Sequence, residues 1–268
     1  MTDPPNRPDA IREVPVWRVG PGGARHTVVT ESLVELALGP RILMRASVLP
    51  KSLDDFAVGF LAGEGLIDGA AAVHEILVAP DSSRVEVRAD VDPDRIALFR
   101  ERLATSSGCG GGVSAAADAL PRVESDTRFE PADVSDRMRE LTEAGHLFRK
   151  TGGVHAAAVT DGQMLLAVAE DIGRHNAVDK VIGRCLRQGV DLARTAVLST
   201  GRASADILAK AARTGIPVVV SRGAVTSRAV DLAAASGITL VGFARTGRMN
   251  VYAAPWRLGL APREGDTR

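Results

Sequence analysis

The chain is predicted to be an α/β protein, with a smaller mixed α+β unit first and a larger α/β unit after it. Three observations predict this. From Val154 onward, short runs rich in Val, Ala and Leu alternate with stretches of helical period, the pattern of a largely parallel or mixed sheet with helical cover. Before that, extended runs punctuated by Gly and Pro follow one another without such regularity. The composition is 45% hydrophobic but only 3% aromatic, so Ala, Val, Leu and Ile must build the core, and 268 residues are enough for two modest units.

Residues 1–11 carry Pro4, Pro5 and Pro8 and are expected to form a disordered tail. The first unit is placed at 12–130. Val14 to Val19, Thr27 to Leu36 and Arg41 to Leu49 read as strands, with turns at Gly20–Gly23 and Gly39–Pro40. Ser52 followed by Asp55 predicts a capped helix from Leu53 to Glu64, its core face carrying Phe56, Ala57, Phe60 and Leu61. Gly59 and Gly63 on that helix would admit another element closely. Val73 to Val78 and Arg84 to Ala89 read as strands, and Pro93 opens a short helix containing Ile96 and Leu98. Ala115 to Ala119 reads as a helical turn.

The second unit is placed at 131–268. Pro131 starts an amphipathic helix with Val134, Met138 and Leu141 inward. Val154 to Val159 and Met164 to Ala169 form a hairpin about Asp161–Gly162. A polar loop over Glu170 to His175 leads to a helix over Asn176–Gln188. The order then repeats: strand 196–199, helix 204–213, strand 218–221, helix 226–235 and strand 238–243.

In an open parallel sheet, ligands gather outside the carboxyl ends of the strands. The loops there read DIGRHN from Asp171, STGR from Ser199, SRG from Ser221 and FARTGR from Phe243. Arg174, Arg202, Arg222, Arg245 and Arg248 would therefore converge on one rim, where guanidinium groups grip phosphate oxygens in pairs of hydrogen bonds. A phosphorylated, nucleotide-bearing ligand is expected. No Walker loop and no dinucleotide-binding fingerprint occurs, which weighs against a nucleotide hydrolase. His175 could carry protons, with Asp171 as the nearby carboxylate or simply a helix cap. His155, set between apolar residues, reads equally well as an interior polar group.

Net charge is zero, 33 basic against 33 acidic residues, so a general nucleic-acid surface is not indicated. No leader pattern and no apolar run of membrane-spanning length occurs, which reads as a soluble cytoplasmic protein without membrane contact. The two cysteines are far apart. Cys185 falls among Val178, Val181 and Ile182 at helical spacing and reads as a small core residue. Cys109 lies instead in TSSGCGGGVS, Thr105 to Ser114, where glycines leave a thiolate open to other molecules. No metal centre built from side chains is predicted.

The chain resembles the FdhD family of formate dehydrogenase accessory sulfurtransferases (FdhD/NarQ). The matching stretches are LDDFAVGFLAGEGLI from Leu53, TSSGCGGG from Thr105, TGGVHAA from Thr151, EDIGRHNAVDKVIG from Glu170, STGR from Ser199, SRGA from Ser221 and GFARTGRMNVY from Gly242. The resemblance implies a homodimer whose larger domain is cytidine deaminase-like. It implies sulfur taken as a persulfide on Cys109 from a cysteine desulfurase and passed to the molybdenum cofactor bound by two pyranopterin guanine dinucleotides, for formate dehydrogenase. It also implies that Phe243, Ala244, Arg245, Thr246, Gly247 and Arg248 contact that cofactor, with Arg174, His175, Arg202 and Arg222 assigned to the same site from the rim reading. Where many relatives carry a second loop cysteine, this chain has Gly112, so a two-thiol relay is not available. A non-catalytic cofactor carrier or chaperone is the competing expectation.

Overall fold

The computed structural model describes residues 8–17, 19, 22, 23, 25–105 and 120–261. Strands β1 (Ile11–Pro15) and β2 (Arg25–Val29) pair antiparallel as a separate ribbon. Next come β3 (Ser32–Leu38), β4 (Arg41–Val48), helix α1 (Leu53–Gly63), β5 (Val73–Val78), β6 (Arg84–Ala89) and α2 (Pro93–Thr105). The stretch expected to be one strand from Thr27 to Leu36 breaks at Thr30–Glu31. The four strands form a sheet in the order β4-β3-β6-β5, parallel only between β3 and β6. Leu36, Val48, Val85, Val87 and the rings of Phe56, Phe60 and Phe99 pack into its core. Ser52 does not cap α1: it has φ 51° and makes no cap bond, and its hydroxyl instead accepts from Arg184. The expected turn at Ala115–Ala119 lies outside the described residues.

The second half contains α3 (Pro131–Ala144), α4 (His146–Thr151), β7 (His155–Thr160), β8 (Leu165–Asp171), α5 (Arg174–Arg187) and β9 (Ala196–Ser199). It continues with α6 (Ala205–Arg213), β10 (Val218–Ser221), α7 (Ser227–Ser236), β11 (Thr239–Arg245) and β12 (Arg248–Ala253). Six strands run in the order β12-β11-β10-β9-β7-β8, with β9, β10 and β11 parallel and both flanks antiparallel. Helices α5, α6 and α7 bury one face over Ala, Val, Ile and Leu side chains. The other face packs against α3, through Val134, Met138 and Leu141, and against Leu258. The mixed α/β class is thus as predicted.

Two departures matter for function. Helix α5 begins at Arg174, so Arg174 and His175 belong to its first turn and not to a loop. The segment read as a loop after Phe243 is a hairpin, since β11 runs on to Arg245 and pairs with β12.

The first half is fixed to the second where α1 crosses α5. A Cβ on Gly59 would fall 1.8 Å from the Asp179 carbonyl oxygen, and one on Gly183 would fall 1.9 Å from that of Asp55. Only hydrogen fits at either position, and the backbones meet there. Charge flanks the crossing: Arg184 contacts Asp55 at 3.0 Å, and Arg187 bridges Asp54 and Asp55.

Candidate functional site

Strands β9, β10 and β11 run parallel, so their carboxyl ends lie at one edge of the sheet. Because β7 and β8 run antiparallel, His155 at the start of β7 and Asp171 at the end of β8 reach the same edge, opposite each other in register. The N-termini of α5, α6 and α7 all face it, adding the partial positive charge of free amide groups.

The loops are bound to one another through the backbone. Arg222 N donates to Ser199 O, Ala203 N to Ala224 O and Phe243 N to Gly223 O, each within 2.8–3.0 Å. Ser221 Oγ donates to Gly201 O at 2.7 Å. On β7, Ala156 N donates to Thr200 Oγ1 at 2.9 Å, fixing His155 beside the β9–α6 loop. These bonds satisfy groups that would otherwise be stranded in the interior, and they hold the loop positions relative to one another.

The predicted rim exists, but its cations stand in two groups. Over β7 and β9, the Arg174 side chain lies across Gly201 so closely that a Cβ there would fall 2.8 Å from Arg174 Cβ and 2.9 Å from its Cδ. Its Nε is buried without a hydrogen-bond partner. Burial and then the nearby Arg202 guanidinium pull the Arg174 pKa down, while Asp206 acts the other way. Two cations thus face one another with Asp206 set against them. His175 Nε2 is 3.2 Å from Ser204 Oγ and 3.8 Å from Asp206 Oδ2. Burial, with Arg174 and Lys210 behind it, depresses His175 to about 3, so the ring is neutral at neutral pH. His155 is half-buried, and burial, Arg174 and Arg202 push its pKa below the ordinary value.

The second group is the β11–β12 turn, about 14 Å away by three strand spacings. Phe243 is held there at φ +52° in an irregular stretch of the hairpin and is 41% exposed. Such a backbone costs about 1–3 kcal/mol and is held by its surroundings. Arg245, Thr246, Gly247 and Arg248 are exposed beside it, and Ser135 Oγ of α3 bonds Arg245 O and Gly247 N at 3.3 Å each. Ala244 points into the core instead. Arg222, exposed on the β10–α7 loop, stands between the two groups.

The carboxylate expected beside His175 is a different one. Asp171 is fully buried, pairs with Lys180 at 2.6 Å and accepts from Leu49 N and Gly173 N. The carboxylate that reaches His175 is Asp206, in the first turn of α6 and outside the loop motifs, so no local spacing points to the pair. His155 was missed as a site residue because alternation with apolar neighbours looks the same for a core position and for a strand end. Cys185 is buried and burial raises its thiol to about 12, the inert core role expected of it.

Cys109 lies outside the described residues. The stretches that bracket its segment are held at the end of the molecule opposite the rim. Near the end of α2, Arg102 donates to Glu64 O at 2.8 Å, and Glu64 contacts Lys210 in the last turns of α6 at 3.1 Å. On the other side Val123 N donates to Ser236 O at the end of α7. A cavity of about 850 Å³ also lies at that end, against Ser125, Asp161 and Arg194, but its lining mixes acids with bases and lacks the charge imbalance of the rim. No group of His, Cys, Asp and Glu among the described residues could hold a metal ion, and no helix among them is long and apolar enough to cross a membrane.

Comparison with known proteins gives a consistent picture. The model of the FdhD/NarQ family matches residues 29–259. The chain is 33% identical over 250 residues to the sulfur carrier protein FdhD of Methanothermobacter thermautotrophicus, covering 92% of this chain and 98% of that one. It is 42% identical over 256 residues to the protein of the same name from Streptomyces avermitilis, covering 87% and 89%. A solved structure from Desulfotalea psychrophila, named for a formate dehydrogenase accessory protein, superposes with a TM-score of 0.73 at 33% identity over 92% of this chain and 98% of that one.

Proposed function

The chain belongs to the FdhD/NarQ family, and from that premise we propose that it is a cytoplasmic, homodimeric sulfurtransferase serving formate dehydrogenase. In this reading Cys109 takes sulfur from a cysteine desulfurase and passes it to the molybdenum bis(pyranopterin guanine dinucleotide) cofactor, which the rim holds as cargo. The observation that carries the reading is the anion-short edge of the sheet, where Arg174 lies against Gly201 with its buried Nε unpartnered and the Arg202 charge near it, opposed by Asp206. Cations held together at a cost in mutual repulsion are poised for a ligand that brings negative charge. A cargo with two diphosphates also fits guanidinium groups standing in two places, at Arg174 and Arg202 and at Arg245 and Arg248, with Arg222 between.

The sulfur step is redox-neutral as it loads. The Cys109 thiolate attacks the outer sulfur of the desulfurase persulfide, a new S–S bond forms, and the desulfurase cysteine leaves as thiolate. When an acceptor supplies an electron pair to that outer sulfur, the bond to Cys109 breaks and its pair returns to Cys109. One thiol suffices for both halves, so Gly112 in place of a second cysteine does not block it.

Intact-protein mass spectrometry after incubation with an active cysteine desulfurase and cysteine tests the assignment. A reductant-labile sulfur adduct on the Cys109 peptide, absent from Cys109→Ser, is the expected result. The carrier or chaperone reading, favoured by the cationic rim together with the single loop cysteine, wins if Cys109→Ser still matures formate dehydrogenase.

A further inference from the structure

We infer that His155 is the proton-accepting member of the rim: a diphosphate bound between Arg174 and Arg202 is taken up together with a proton on His155. This inference rests on the phosphate-binding reading above and adds to it a residue and a direction of pH dependence.

The geometry isolates His155 as the group that responds. It opens β7 at the sheet edge, half-buried, next to Ala156, whose amide is bonded to Thr200 one residue before Gly201 and Arg202. Around it stand Arg174 from α5, Arg202 from the β9–α6 loop, and His175 behind. Asp206 of α6 opposes Arg174. Across the register on β8, Asp171 is committed to Lys180, Asn176 and two backbone amides. Its neighbour Glu170 is spent on the amides of Leu147 and Phe148 at the start of α4. His175 is buried, engaged with Ser204 and backed by Lys210, so it cannot accept a proton cheaply.

With both imidazoles neutral, this part of the rim carries two guanidinium charges against one carboxylate. A diphosphate diester adds two negative charges and reverses the field at His155 from cationic to anionic. Protonation then balances the charges and turns the ring into a donor toward a phosphate oxygen. The free site keeps His155 neutral for the opposite reason, since both arginines repel a third cation. Proton uptake is therefore a consequence of ligand charge and needs no motion of the fold.

The test uses the intact protein and P1,P2-diguanosine diphosphate, whose diester phosphates do not titrate near neutrality, so any proton taken up belongs to the protein. Calorimetry near pH 6.5 is run in two buffers of different ionisation enthalpy. The expected result is a binding enthalpy that changes with buffer in the sense of proton uptake, a dependence lost in His155→Asn. Affinity should rise as pH falls through the histidine midpoints, by about tenfold in full for each unit by which binding raises the midpoint. In parallel, proton NMR of the five histidines in wild type should show the His155 midpoint moving up by about one unit or more on binding, a readout that does not depend on any variant folding. Binding with no buffer dependence and an unmoved His155 midpoint overturns the inference and leaves the phosphate reading standing. Absence of binding overturns both.

Discussion

At the scale of single residues, the site depends on one missing methyl group. Gly201 gives Arg174 the space to lie flat against the β9–α6 loop, where its stem is buried and its guanidinium faces Arg202. Gly201→Ala should displace Arg174 from its stem upward and weaken diphosphate binding by about tenfold, since losing one charge-assisted contact costs about 1.5 kcal/mol or more. Calorimetry reads the affinity and circular dichroism checks that the fold is kept; unchanged affinity would show that Arg174 does not touch the ligand. His175 makes a second prediction, with a definite sign. Its folded pKa lies at about 3, below the ordinary 6.5, so its contribution to stability is present above about pH 6.5 and is lost as pH falls toward 3. The loss is roughly 4–5 kcal/mol in full. Urea midpoints measured from neutral to acid pH should fall steeply, and His175→Asn should flatten that acid arm.

At the scale of elements, α5 and α6 face each other as a ladder. His175 and Asp206 form the rung at the rim, and one turn further Asp179 and Lys210 meet at 2.8 Å, with Glu64 of α1 joining at 3.1 Å. Burial raises Asp179 to about 7 against the pull of Lys210. Burial also works against the Lys210 ammonium, but Asp179 and Glu64 together outweigh it and its pKa stays above the usual value. The ladder keeps the first turn of α6 aligned with α5, and with it the rim residues. The α1–α5 crossing locks this arrangement to the first half of the chain. Gly59→Ala would press a methyl group into the Asp179 carbonyl and force the helices apart, which should cost about 3 kcal/mol or more. Denaturant unfolding measures it, and a cost below about 1 kcal/mol would show that the crossing yields easily.

At the scale of the whole molecule, the described halves are joined through polar contacts between residues far apart in sequence, two of them buried and the one to Ser47 exposed. Lys180 Nζ donates to Leu49 O at 2.9 Å, Asn176 Nδ2 to Ser47 O at 2.9 Å, and Leu49 N to Asp171 at 3.1 Å. Leaving the two buried contacts without their partners would cost about 1–3 kcal/mol apiece. One cooperative unfolding transition is therefore expected in scanning calorimetry. Two resolved transitions would mean that each half holds together without the other. The same contacts tie the rim to the β4–α1 connection: Asp171 ends the strand that leads into Arg174, and its position is set partly from Leu49.

Much of this was legible in the sequence because it depends on local pattern. Period and turn residues located α3, α5 to α7 and β7 to β11 to within a few residues but not α4 or β12, and the Gly-Arg loops after successive strands placed a cationic edge. Cys185 was assigned correctly to the core by its spacing alone. What failed locally failed for a tertiary reason: Ser52 has the identity of a helix cap, but Arg184 takes its hydroxyl, and the Phe243–Arg248 turn looks like a loop until β12 pairs with it. Sequence by itself determined the α/β class, the family and the edge at which charge collects, since these follow from periodicity, composition and motif order. Tertiary structure alone decided which carboxylate meets His175, that Asp171 is spent on Lys180, that the arginines divide into two groups, and that His155 joins one of them. Those pairings are set by distances between strands and helices that are remote in the chain, and electrostatic interaction depends on separation and burial, neither of which a linear pattern carries.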